Sequence, residues 1–120
     1  MGKKNNKLNK KKIRELKKYN TFFKLFGNAN SEARSKAIAK MDPKCLSMLC
    51  ECTLNVLKNR SLTNDEQKKY FKTHFQQFRP ELLNFTQEQL SFKERKHLCH
   101  YLRNCIGCMM SVITPVIDKM

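Results

Sequence analysis

Three glycines and three prolines in 120 residues leave this chain few places at which to turn. Tight turns and hairpins draw on those residue types. Strands draw on β-branched residues, which are sparse here, while Lys, Leu, Glu and Gln are common and all tolerate a helix well. The expected fold is therefore all-α, a small irregular bundle of about five helices with a basic N-terminal arm. The length is that of one domain. Residues 1–12 are expected to form a flexible basic arm and residues 13–120 a single helical domain.

Apolar spacing places the helices. Leu16, Tyr19, Phe23 and Phe26 fall on one helical face, and Gly27-Asn28 is a C-terminal stop. Asn30 offers an N-cap to a short helix over residues 32–41, whose weak apolar face is Ala33, Ala37, Ile38 and Met41. Asp42 then caps a new helix with Pro43 in its first turn, where a missing N–H costs nothing. Residues 43–58 are apolar over more than half their circumference (Cys45, Leu46, Met48, Leu49, Cys52, Val56, Leu57), which marks a central buried helix. Thr63 and Glu66 have the spacing of a capping box for the helix bearing Phe71, Phe75 and Phe78, which Pro80 should end or kink. Ser91 and Glu94 form a second box, opening a last helix with Leu98, Leu102, Cys105, Met109 and Val112 on one face. Pro115 should bend or end that helix.

Charge gives the functional lead. Twenty-five Lys and Arg against ten Asp and Glu leave +15. A field of that size attracts polyanions, nucleic acid foremost. Residues 1–24 hold ten of the basic residues and one acidic residue, Glu15. The candidate phosphate-binding residues are Lys3, Lys4, Lys7, Lys10, Lys11, Lys12, Arg14, Lys17 and Lys18, joined by Lys93, Arg95 and Lys96 on the last helix. Arg103, Lys68, Lys69 and Lys72 would extend that second patch. Lysines release counterions from phosphates without reading sequence, and six engaged phosphates give a log–log salt slope of about −5 on duplex DNA.

Other chemistry is weighed against packing. Cys99, His100, Cys105 and Cys108 could supply zinc ligands. They lie inside a helical pattern, however, and Cys is among the most buried residue types, so core packing is the preferred reading and no metal is expected. Cys105-x2-Cys108 lacks the preceding strand of a redox motif. The histidines, His74, His97 and His100, have no acidic partner placed for catalysis except Glu94, and three glycines cannot build a phosphate-cradling loop. No enzyme and no cofactor are expected. The phenylalanines (Phe22, Phe23, Phe71, Phe75, Phe78, Phe85, Phe92) have core spacing rather than that of a base-stacking platform. The apolar run from Cys105 to Ile117 is shorter than the roughly 20 residues a membrane span needs. Six cysteines and no apolar leader point to a reducing, intracellular setting.

Residues 42–59, Asp-Pro-x5-Leu-Cys-Glu-Cys-x2-Asn-Val-Leu-Lys-Asn, carry a resemblance. With the lysine-rich start they resemble small basic proteins of Polinton/Maverick elements and the related adintoviruses. The matching residues are Leu49, Cys50, Glu51, Asn55, Val56 and Leu57, then Ser91, Lys93, Arg95 and Gly107. The likeness spans about residues 10–110. Asn59 stands where such proteins usually have Gly, and the tail lacks their Gly-Gly and Leu-rich run. The resemblance implies a virion component, a core protein that packages double-stranded DNA; the lysine-rich start also reads as a nuclear localisation signal, so the nucleus or the virion is the expected location. It gives Cys50 and Glu51 no chemistry beyond a shared helix.

The expected function is thus non-enzymatic binding of nucleic acid, double-stranded DNA first, through phosphate contacts. The alternative is a helical protein-interaction or capsid-lining module, with a capsid protein or a second copy of the chain as partner. A membrane-active factor ranks after both.

Overall fold

Local hydrogen bonds set most of the helix starts. In a computed structural model that describes residues 10–58 and 64–120, the Asn30 side chain accepts from the Ala33 N–H at 2.8 Å and opens a helix at Ser31. The Asp42 carboxylate accepts from the Cys45 N–H at 2.8 Å and opens the next at Pro43. Ser91 and Glu94 close their box, at 3.1 Å from the Glu94 N–H to the Ser91 hydroxyl and 2.9 Å from the Ser91 N–H to the Glu94 carboxylate. The remaining box sits one residue later than the sequence suggested. Asn64 is the cap and Gln67 its partner, while Thr63 lies outside the described residues.

In chain order the elements are α1 (Lys10–Asn28), α2 (Ser31–Ala39), α3 (Pro43–Leu57), α4 (Asp65–Phe75), a 3-10 turn (Gln76–Phe78), α5 (Arg79–Phe85), α6 (Phe92–Tyr101) and α7 (Arg103–Asp118). No strand occurs among the described residues. The all-α expectation holds. Among the described residues there are seven α-helical segments rather than about five because two expected helices are divided. Pro80 stands in the first turn of α5, so the bend falls just before it, at the 3-10 turn. The expected last helix breaks at Leu102, whose backbone (φ −98°, ψ 11°) leaves the helical region. Pro115 does not end α7, which continues to Asp118. Pro115 removes the N–H that would bond the Ser111 carbonyl, and both residues lie on the exposed side, where water can replace it.

α3 is central, as its pattern predicted: ten of its 15 residues are buried. α7 buries Cys105, Ile106, Met109, Met110, Ile113 and Ile117 against it and against α1. The apolar C-terminal run is therefore core. α1 contributes Leu16, Asn20, Phe23 and Phe26, with Tyr19 half-buried. Each large apolar side chain so enclosed contributes about 1.5–3 kcal/mol relative to exposure.

The most extensive helix pairing joins the first helix to the last. It is antiparallel: Asn20 meets Asp118 and Thr114, and Gly27 meets Ser111 and Gly107. α1 ends at Asn28, as the Gly27-Asn28 stop predicts, and Gly27 also has a packing role. It lies buried inside the helix, and a Cβ there would stand 2.8 Å from the Ser111 nitrogen, so the glycine lets two backbones touch. Of the weak apolar face expected for α2, Ile38 and Met41 are buried and Ala37 half-buried, while Ala33 is exposed. Beside the crossing Arg34 is buried too, at 8% exposure. Its guanidinium donates to the Phe26 carbonyl at 2.9 Å and the Gly27 carbonyl at 2.7 Å, satisfying acceptors in the last turn of α1. It also donates to the Asn104 side chain at 3.2 Å, tying in the start of α7.

Candidate nucleic-acid interface

The buried stripe of α1 dictates where its cations go. With 3.6 residues per turn, Lys10, Lys11, Arg14, Lys17 and Lys18 fall within a sector of roughly 120° opposite Leu16, Phe23 and Phe26. All five are exposed. They span about 12 Å of helix axis. That density is close to the one phosphate per ~3.4 Å of a single nucleic-acid strand. Glu15, the one acid of α1 itself, is turned aside and accepts from Lys44 at 2.9 Å, while Asp118 of α7 lies near enough to feel Lys17. Farther along α1, Lys24 pairs with Asp118 and holds that carboxylate below its ordinary pKa, so Lys24 belongs to the α1–α7 junction. Lys3, Lys4 and Lys7 lie outside the described residues, as does the side chain of Lys12. Most of the expected flexible arm lies there too, but its last part does not, because the helix is already formed at Lys10.

The second patch divides. Lys93 is exposed in the first turn of α6. Arg95 and Lys96 are half-buried and serve the fold: Arg95 donates to the Gln87 carbonyl at 2.7 Å, and Lys96 donates to the Ala39 carbonyl at 2.9 Å while lying 4.9 Å from the centroid of the Phe92 ring. Arg103 likewise donates to the Ser31 hydroxyl at 2.8 Å and to the His100 carbonyl at 2.6 Å, beside the Leu102 break. Of the patch chosen from sequence, Lys93 on α6 and Lys69 and Lys72 on α4 are presented outward.

What the sequence did not show is a histidine enclosed by these cations. His100 Nδ1 lies 3.2 Å from the Ser35 hydroxyl. Burial first, and then the charges of Arg103, Lys96 and His97, hold its imidazole below the ordinary pKa. Ser35 and His100 are 65 positions apart, and only the packing of α2 on α6 joins them.

The cysteines pack. Cys45, Cys50, Cys52, Cys99 and Cys105 are buried and Cys108 is exposed. Burial raises the thiols, Cys45 to about 11 and Cys50 and Cys105 to about 12, so they stay protonated and poorly nucleophilic. No group of three or more His, Cys, Asp or Glu able to hold a metal occurs among the described residues. Phe23, Phe71, Phe75 and Phe85 are core, Phe22 and Phe78 are half-buried, and Phe92 is exposed. No helix among the described residues is long and apolar enough to cross a membrane. Comparison with family models, with curated proteins and with solved structures found no match.

Proposed function

We propose that this chain binds nucleic acid without catalysis, double-stranded DNA first, and that it condenses or packages it. The observation that carries the reading is the face of α1, where five exposed cations lie within one sector of a helix whose opposite side is locked into the core. A ladder of lysines on a rigid helix follows a phosphate backbone and reads no bases. The remaining charge favours the same partner, since +15 keeps attraction long-ranged at low salt. Packaging is the natural use of binding that is abundant in charge and indifferent to sequence. A virion-core role in the nucleus or the virion is the form of it to which the family resemblance points. The capsid-lining alternative draws on the wide apolar face of residues 43–58 and the apolar C-terminal run, and both are spent on the core of this domain.

Binding to duplex DNA, duplex RNA and single strands across a salt titration tests the proposal. Five engaged α1 cations give a log–log slope of about −4.5 on duplex DNA. Retention that does not change between low and high salt would overturn it.

A further inference from the structure

α7 separates two cationic surfaces. The residues it turns to α1 are Gly107, Ser111, Thr114 and Asp118, which meet Gly27 and Asn20. Met109, which lines a cleft with Phe71 and Phe75 of α4, stands roughly 140–180° around α7 from all four. α1 and α4 therefore pack on opposite sides of α7. Two helix spacings of ~8–10 Å put their axes about 16–20 Å apart. Both helices turn cations outward. On α4, Phe71 and Phe75 face the core, while the exposed Lys69 and Lys72 lie roughly 140° and 80° around from them. The half-buried Lys68 and the exposed Arg79 of α5 border the same cleft, and Arg79 is fixed there by donating to the Leu57 carbonyl at 3.2 Å. Asp65 is the one acid lining the cleft, so four cations against one carboxylate leave +3. Glu66 stands about 60° beyond Lys69 and does not line it.

A straight duplex lying along α1 touches one side of the molecule and leaves the α4 cations on the other side without phosphates. We propose, on the basis of the nucleic-acid reading above, that α4 is a second phosphate-binding face and that one molecule bridges two duplexes, α1 gripping the first and Lys68, Lys69 and Lys72 the second. Condensation then needs no pairing of protein copies, because each molecule is itself a cross-link. It also sets cations between two duplexes that would otherwise repel. The α4 face is the weaker of the two. Three engaged phosphates give a log–log salt slope of about −2.7, against about −4.5 for the five of α1, and Asp65 opposes them. Rising salt therefore releases the second duplex while the first is still held.

The test uses the full chain and two duplexes of about 20 base pairs, one immobilised and one fluorescent, each far shorter than the ~150-base-pair persistence length and so unable to wrap the molecule. The immobilised duplex should retain the protein, and the retained protein should capture the fluorescent duplex at low salt. Capture should be lost at a lower salt concentration than retention. K69Q/K72Q alters two exposed side chains, so its circular dichroism melt should match that of the parent. In that variant retention should fall less than about threefold and capture about tenfold or more. Retention without capture, or capture unaltered in K69Q/K72Q, would overturn the bridge and leave the α1 reading in place. Equal losses of retention and capture in K69Q/K72Q would make α4 part of one surface with α1 and would also overturn it. Failure of the immobilised duplex to retain the parent protein would overturn both readings.

Discussion

The guanidinium of Arg34 occupies the space in which a side chain at Gly107 would stand. The pairing ties three helices at one point, because the same guanidinium holds the Phe26 and Gly27 carbonyls of α1 and the Asn104 side chain of α7. Gly107→Ala should push the guanidinium off those acceptors. Overpacking costs about 1–3 kcal/mol and each buried acceptor left unpaired a further ~1–3 kcal/mol. With the Phe26 and Gly27 carbonyls both left unpaired, a loss of at least about 3 kcal/mol is expected by urea unfolding. In an R34A background the methyl should cost little, and a double-mutant cycle showing simple additivity would refute the coupling.

Removing cations from α1 should change nucleic-acid binding and leave folding alone. Replacing Lys10, Lys11, Lys17 and Lys18 with Gln should make the salt slope shallower by about 3–4 and weaken binding at low salt by orders of magnitude. Helical content and melting should hold, because all four side chains are exposed. R95Q should behave in the opposite way, costing stability through its lost bond to Gln87 with a smaller effect on the slope. Fluorescence anisotropy over a salt series measures both.

Acid should find His100 before it finds the carboxylates. The folded pKa lies below the ordinary value of 6.5, so over that interval the unfolded chain binds more protons. Stability therefore falls as pH drops from about 6.5 to the lower folded value, and does not change further from this group beneath it. His100→Asn should flatten that part of the melting-temperature profile. The later losses from Glu94 and Asp118, whose pKa values are depressed, come as pH falls through and below the ordinary carboxylate range and should remain. An NMR titration placing the His100 midpoint above 6.5 would contradict the assignment.

One thiol should react quickly and five slowly. Cys108 is exposed, whereas the others are buried. Ellman's reagent on native protein should release about one equivalent in a fast phase that Cys108→Ser abolishes, and denaturant should release the rest. A second fast equivalent would show that the core opens more readily than its packing implies.

Much of the fold was legible because the signals that set it are local. Asp42-Pro43 and Ser91 with Glu94 define their helix starts within four residues, and the structure keeps both. Asn64 displaced Thr63 because cap and box residues stand side by side there, and local chemistry alone does not choose between adjacent registers. The break at Leu102 carries neither glycine nor proline, and the Arg103 bonds that accompany it reach back to Ser31, 72 positions away. The burial of Arg34 was not legible for a like reason: its acceptors belong to the ends of α1 and α7, which converge on it only in the folded chain. At the interface, the lysines of α1 were legible from the stripe opposite them. The inward turn of Arg95 and Lys96 was not, since their acceptors, Gln87 and Ala39, are backbone carbonyls that become available only once α6 is docked.

The joining of α1 to α7 also bears on how this domain is completed during synthesis. α1 leaves the ribosome before the other helices described, yet the surface that covers Leu16, Phe23 and Phe26 is completed only when α7 has been synthesised. The domain therefore cannot close until α7 has left the ribosome. Until then the nascent chain carries its cationic ladder next to an uncovered aromatic stripe, which is the period in which it is most exposed to chaperones and to premature capture by polyanions.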